Sequence, residues 1–412
     1  MKRLSCMLLC ITLLCGCMLP AKTGKDTVLQ DIQLMTESVL PYKEGKKEET
    51  VVVLKEEDEN QNSVFSEETK ADFMRKQQEL FYFSSLEITQ QNVYVEILYA
   101  LENDIEEMLL STTDTDIVDK VFQCVLLDHP EIFYVDGYSF VKYTLGEEVK
   151  KITFKGSYIY EGEERKEKKI LIEQAALNML SSLPAEASDY EKVKYVYETI
   201  IKNTEYNMDS PDNQNICSVF LNHISVCQGY AKAVQYLLTK LQIPATLVIG
   251  MVSNGEGHAW NLVKIENEFY YLDSTWGDAS YLFQLNDEVQ SVQNTLSINY
   301  DYLCVTTDEI LKTHSFSDLV PLPLCTAKGA NYYVREGAYF EEVNYAQLEQ
   351  LISLYKEEGR ESVTLRCADS NVYEQMIDEL INKQNIFHYL VGENNSILYT
   401  DSPQQLSITF WL

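Results

Sequence analysis

Ser225-Val226-Cys227-Gln228-Gly229-Tyr230-Ala231 leads into a run in which the apolar residues fall at Ala231, Val234, Leu238 and Leu241. Steps of three and four mark the buried stripe of an α-helix, so this run predicts one from Gln228 to Leu241. Cys227 lies four residues before Ala231, on the same stripe and at the helix start. There, unpaired backbone N–H groups and the positive end of the helix dipole favour a thiolate and can hold an oxyanion. The helix should stop before Ile243-Pro244, because a residue preceding proline is pushed out of the helical region.

Two more stretches follow: Gly257-His258-Ala259-Trp260-Asn261 and Tyr270-Tyr271-Leu272-Asp273-Ser274-Thr275-Trp276. Ala259 to Ile265 and Phe269 to Leu272 are rich in strand-forming residues, and Glu266-Asn267 suits the turn between them, which predicts a β-hairpin. If that turn is a two-residue loop with Ile265 opposite Glu268, His258 faces Thr275 and lies diagonal to Asp273 on one face. An odd-length loop would put the two on opposite faces. A thiol is a useful nucleophile only as thiolate, so it needs a base within hydrogen-bond reach and a third group to fix the base's tautomer. Cys227, His258 and Asp273 supply those types in that order. Alone on an apolar helical face, a cysteine would read as a small core hydrophobe. Trp260 and Trp276 either line a substrate groove or pack the hairpin, and Asn261 either supports His258 or ends a ladder.

Upstream, a helix carrying Tyr195, Tyr197, Ile200 and Ile201 leads into Asn203-Thr204-Glu205-Tyr206. With this lead-in, the three blocks resemble the core of the bacterial transglutaminase-like proteins over about a third of the chain, roughly residues 185 to 318. The resemblance implies a papain-like fold with Cys227 as nucleophile, His258 as general base and then acid, and Asp273 as the residue that orients His258. It leaves the reaction open, because the family includes peptidases and other amide hydrolases, amine transferases and members without activity. A catalytically silent binding scaffold is the reading from another class. A second oxyanion donor is expected, with Gln214 and Asn215 as upstream candidates.

The first residues carry a separate signal. Lys2 and Arg3 precede an apolar run from Leu4 to Leu14, then Leu14-Cys15-Gly16-Cys17. This is the pattern of a charged region, an apolar region and a small-residue cleavage site, and the run is too short to span a bilayer as a helix. Leu14 three before a cysteine, with glycine between, resembles the bacterial lipobox. That resemblance implies cleavage before Cys17, lipidation of Cys17, and a lipoprotein tethered to the extracytoplasmic face of the cell membrane. Cleavage without lipid is the alternative.

The formal net charge is −31, and loss of Lys2 and Arg3 with the signal takes it to −33. Nucleic acid and anionic lipid head groups are therefore excluded as partners for the bulk of the surface. A protein or peptide substrate is expected, cell-wall peptide among the candidates; nothing in the sequence sets an oligomeric state. Beyond the signal, Cys17 and Cys227, five cysteines remain: Cys124, Cys217, Cys304, Cys325 and Cys367. An odd number without close spacing is no disulfide framework, and Cys304 with Cys325 is the one pair worth testing. No spacing suits zinc. Asp114 and Asp116 lack the glycine and glutamate of a calcium loop and suit a helix N-cap instead. No metal or cofactor is expected.

The expected organisation is α+β: a signal (1–16), a polar tether (17–66), an N-terminal α+β domain (67–184), the core (185–318) and a small C-terminal α/β domain (319–412). The N-terminal part should hold helices at Val93–Leu110 and Ile117–Leu127 and strands at Ile132–Val135, Tyr138–Tyr143, Lys151–Phe154 and Tyr158–Tyr160. His129-Pro130 marks a helix-to-strand corner, with His129 as a cap. The C-terminal part should alternate strands near Tyr332–Tyr339, Val363–Arg366, Ile386–Val391, Ile397–Tyr399 and Leu406–Leu412 with helices at Tyr345–Glu357 and Val372–Ile381.

Overall fold

The computed structural model describes residues 47–54, 65–278, 298–390 and 397–412. The lipobox-like Cys17 and most of the expected tether lie outside the described residues. Helices and mostly antiparallel strands make an α+β molecule, and three four-stranded sheets follow one another along the chain.

The first sheet has the order β1-β3-β4-β2, built from β1 (Lys47–Val53), β2 (Met108–Leu109), β3 (Val135–Leu145) and β4 (Glu148–Tyr158). Its first strand corrects the tether. Every residue of β1 is exposed, yet its backbone pairs in parallel with β3 from Lys47 opposite Tyr138 to Val53 opposite Thr144. Polar composition hides such a strand because main-chain hydrogen bonds and surface ion pairs such as Lys142–Glu49 (2.6 Å) hold it, not side-chain burial. The helix Thr115–Asp128 falls close to where it is expected, with the Asp114 side chain capping it by accepting from Asp116 N; the helix expected over Val93–Leu110 instead runs over Ile88–Glu102 and is followed by β2 at Met108–Leu109. Ile132-Phe133-Tyr134 is not a strand: all three are buried, and a turn with Ile132 N donating to the His129 carbonyl carries them into the core.

The second sheet, order β10-β7-β8-β9, is antiparallel throughout. It contains β7 (Ala245–Val252), β8 (Gly257–Ile265), β9 (Glu268–Leu272) and β10 (His314–Phe316). A two-stranded parallel pair, β5 (Glu205–Tyr206) and β6 (Ile224–Ser225), leads into the Cys227–Lys240 helix. The helix Asp189–Asn203, closed by a Ser188/Glu191 capping box, packs beside it.

The third sheet, order β11-β12-β14-β13, uses β11 (Tyr339–Phe340), β12 (Ser362–Cys367), β13 (Tyr399–Ser402) and β14 (Ser407–Trp411). The helices Tyr345–Glu357 and Ser370–Ile377 are as expected. Two strands are not. Asn331 caps a short helix at Tyr332–Arg335 by accepting from Tyr333 N, so only Tyr339–Phe340 is extended there. Gln384 adopts a left-handed backbone (φ 62°) and starts a 3₁₀ turn at Asn385–His388 in place of the strand from Ile386; Val391 lies outside the described residues.

The sheets are joined by buried polar links as well as apolar contact. Tyr82 donates its hydroxyl to the Leu247 carbonyl of β7 (2.8 Å), and Gln235 donates to the Leu127 carbonyl (2.9 Å). Asp128, buried, accepts from Tyr82 N (3.1 Å), Phe83 N (2.9 Å) and Tyr94 hydroxyl (3.0 Å). Burial still pushes its carboxyl up to about 6, against those hydrogen bonds and the neighbouring His129. His129 ends the Thr115–Asp128 helix, as expected of a cap, with Nδ1 2.7 Å from Glu131. No helix among the described residues is long and apolar enough to cross a membrane.

Candidate active site

The helix predicted from the Ala231 stripe runs from Cys227 to Lys240, with Cys227 its first residue and Val226 at the N-cap position. No side chain caps this start, so the first-turn N–H groups remain available to a ligand. Gly229 is required here: a Cβ would meet Ser225 Oγ at 2.0 Å, the hydroxyl that packs against Ser218 (2.6 Å) under the helix start. The chain leaves the helix through Gln242 in a left-handed conformation (φ 61°), directly before Ile243-Pro244.

The hairpin has the two-residue loop on which the shared face depends. Ile265 stands opposite Glu268, and Glu266 and Asn267 both have positive φ (52° and 69°), the pattern of a type I′ turn. The ladder ends at Asn261 opposite Leu272, and Asp273 then starts a short helix, Ser274–Gly277, accepting through Oδ1 from Thr275 N (2.9 Å) and Trp276 N (3.1 Å). Its other oxygen, Oδ2, is 2.7 Å from His258 Nε2. With Nε2 so engaged, His258 has Nδ1 left for Cys227, whose side chain interacts with the ring. The three residues singled out from the sequence are thus brought together.

Electrostatics reinforce the arrangement. Burial opposes ionisation of Asp273, but His258 and then His314 hold its carboxyl well below the usual carboxylate range. Burial also disfavours the His258 imidazolium; Asp273 and Cys227 outweigh it and raise the group to about 10. The surroundings thus favour the protonated ring of His258, clamped on one side by a carboxylate and facing Cys227 on the other. That cation is the partner a thiolate needs.

A fourth residue, His314, went unpredicted. Its Nε2 lies 3.1 Å from the same Asp273 Oδ2, and its Nδ1 lies 2.8 Å from Thr313 Oγ1. It sits on β10, added at the far edge of the sheet beside β7. Nothing local marks it, since β10 is three residues long and His314 lies 41 residues beyond Asp273. Gly250 makes this possible: a Cβ there would meet the Ser315 carbonyl oxygen at 1.9 Å and the Trp260 ring at 2.7 Å. Ligand-type atoms of His258, Asp273 and His314 lie within 4.8 Å of one another. Both imidazole Nε2 atoms are at hydrogen-bond distance from one carboxylate oxygen, so the group is built as a carboxylate bridging two imidazoles, and a metal would have to displace both protons.

Other candidates take structural places. Asn261, fully buried, donates to the Ala231 carbonyl (2.9 Å) and more weakly to that of Thr246 (3.4 Å). It ties β8 to the Cys227 helix and does not support His258, because residues three apart on a strand face opposite sides. Asn215 accepts from Cys217 N through Oδ1 (2.8 Å), a local helix-start bond; Gln214 is half-buried beside it. Trp260 is fully buried in the cluster with Val248, Leu262 and Tyr271, so it packs the hairpin. Trp276 is half-buried and tilts against His258 and His314. Cys304 and Cys325 are separate buried thiols, not a pair. Burial pushes the Cys124, Cys217 and Cys367 thiols up to about 12 and that of Cys325 up to about 11. Among the described cysteines, Cys227 alone is not buried.

Residues 181–274 match the family model of the transglutaminase-like superfamily, and the chain carries a domain of that superfamily. Among solved structures, a TGase aligns over 59% of this chain and 77% of its own, at 12% identity and a TM-score of 0.25. A protein proposed to be a cysteine protease, from Cytophaga hutchinsonii, aligns over 30% and 51%, at 16% identity and a TM-score of 0.23. An arylamine N-acetyltransferase from Bacillus cereus with a Cys-His-Glu catalytic triad aligns over 25% and 48%, at 15% identity and a TM-score of 0.21. A search of curated proteins returns no match.

Proposed function

We propose that the protein is a cysteine acyl-transfer enzyme acting on amide bonds of protein or peptide substrates, cell-envelope peptide among them, and that it works outside the cytoplasm on a lipid anchor at Cys17. The observation that carries the chemistry is the His258 ring held between Asp273 (2.7 Å) and Cys227. The Cys227 thiolate attacks the amide carbonyl carbon, forming a C–S bond, while N–H groups at the uncapped helix start take the oxyanion. His258 gives its proton to the departing amine as the C–N bond breaks. Water or a second amine then attacks the thioester, returns a proton to neutral His258, and regenerates thiolate and imidazolium. Water yields peptidase or deamidase activity; an amine yields cross-linking.

Two measurements test this. Alkylation by iodoacetamide, followed by peptide mapping, should be fastest at Cys227 among the thiols of the folded chain and should slow in His258→Ala. Incubation of casein with the protein, read in parallel for new N-termini, released ammonia and uptake of a fluorescent primary amine, should show at least one product that Cys227→Ala abolishes. A slow Cys227 that ignores His258→Ala, with none of the three products, would leave a silent binding scaffold.

A further inference from the structure

His314 completes a directional chain of hydrogen bonds that begins outside the transglutaminase-like segment. Arg366 on β12 donates to Gln405 Oε1 (3.2 Å), and Gln405 donates to the Tyr302 hydroxyl (3.0 Å). The Tyr302 hydroxyl is 3.4 Å from Thr313 Oγ1, which is 2.8 Å from His314 Nδ1, and His314 Nε2 is 3.1 Å from Asp273 Oδ2. Arg366 has only donors, so the first link has one possible direction, and the ionised Asp273 has only acceptors, so the last has one too. Between them Tyr302 accepts from Gln405, and Thr313 Oγ1 has two acceptors in reach, the Ile310 carbonyl at 3.5 Å and His314 Nδ1 at the shorter 2.8 Å. Donation from Thr313 over the shorter contact corresponds to a neutral His314 with its proton on Nε2.

Burial supports the neutral form. His314 is packed among Trp260, Trp276, Tyr302 and His258, with ring centroids between 4.9 and 5.8 Å away. The titratable groups facing it are Asp273, His258 and Tyr302. Burial lowers its pKa and the His258 charge adds to this, while Asp273 and the Ile310 carbonyl oppose it. Arg366 is itself buried and paired with Asp301 (3.1 Å), so the chain is anchored in the core and not on a mobile surface group.

We propose that His314 is a positioning residue for the Cys227–His258 pair, donating to Asp273 so that Oδ2 stays aimed at His258, and that the C-terminal sheet holds His314 in the donating tautomer through Gln405, Tyr302 and Thr313. The proposal rests on the acyl-transfer reading of Cys227 and assigns the C-terminal segment a share in the active site. Removing the donor frees the carboxylate to rotate and leaves a lone pair of a buried anion without a partner. Gln at this position restores an N–H at similar reach, whereas Leu fills space without one.

The test uses the full chain and the iodoacetamide rate at Cys227 as readout. His314→Leu, Thr313→Val and Gln405→Leu should each slow alkylation at neutral pH, the first by about tenfold or more, the scale of one hydrogen bond to a charged group. His314→Gln should recover most of the rate, which a purely space-filling role would not produce. Imidazole ¹⁵N spectra should report His314 as the Nε2–H tautomer in wild type, and a mixture of tautomers in Thr313→Val and Gln405→Leu. A wild-type rate that responds to His258→Ala but not to His314→Leu overturns the positioning role while leaving the acyl-transfer reading intact. A Cys227 that ignores His258→Ala overturns both. If His314→Leu does not fold, unchanged rates and tautomers in Thr313→Val and Gln405→Leu overturn the proposal.

Discussion

Asp273 is the residue on which the site turns, because four groups share its two oxygens: two backbone N–H groups on Oδ1 and two imidazoles on Oδ2. An asparagine offers one acceptor oxygen. If it faces His258 and His314, its NH₂ meets the N–H groups of Thr275 and Trp276 and the cap is lost; if it keeps the cap, the imidazoles face a donor. Asp273→Asn is therefore expected to cut any turnover by about 10³- to 10⁴-fold and also to cost about 1 kcal/mol or more of stability through the cap; steady-state kinetics with chemical denaturation read the two effects separately. The pH dependence follows from the signs. His258 is raised from its ordinary value of 6.5 to about 10, so its contribution to stability is full below about 6.5 and is lost as pH rises through about 10. Asp273 is depressed, so its contribution is full above the ordinary carboxylate range and is lost only as pH falls through its lowered value. The denaturant midpoints of wild type and His258→Ala should therefore differ most near pH 6 and converge toward pH 10, and a constant gap would refute the imidazolium assignment.

At the scale of elements, the legible parts were those whose periodicity is local. The Ala231-Val234-Leu238-Leu241 stripe gave the Cys227 helix, and the strand-rich runs around Glu266-Asn267 gave the hairpin, its register resting on the loop length that the structure supplies. β1 was missed because its strength lies in backbone pairing to β3, which composition does not record, and His314 because β10 enters the sheet next to β7 from far along the chain. In sequence Asn261 is open between supporting His258 and ending a ladder: the ladder to β9 does end there, and period-two alternation turns its side chain to the helix side, where it fastens β8 to Ala231. The helix Thr115–Asp128 meets the rest of the fold through Asp128 in the same way. Its carboxylate receives two backbone N–H groups and one hydroxyl, and asparagine can satisfy them only in part. Asp128→Asn should lower stability by about 1–3 kcal/mol, the cost of an orphaned buried donor, without changing the Cys227 alkylation rate of the folded protein. Loss of both together would mean that this corner also shapes the site.

For the whole molecule, charge decides how it can meet a membrane. With the signal removed as proposed, the net charge is −33 and disfavours anionic head groups, so the proposed retention rests on acyl chains. One chain gives only marginal, reversible binding, whereas two give stable anchoring; a diacylated Cys17 meets that requirement. The expected outcome is that wild type takes up a labelled fatty acid and sediments with membranes through a high-salt wash, while Cys17→Ala loses the label and appears in the soluble or secreted fraction. Cys227 should keep its alkylation rate in that variant, because the site is built from residues between Cys227 and Gln405. Label that survives Cys17→Ala would remove the anchor and leave plain export, with the catalytic proposal standing unchanged. A Cys17→Ala protein that stays on the membrane without label would instead point to a bound partner as the tether, and a salt or detergent series would then release it at a concentration that leaves a lipoprotein in place.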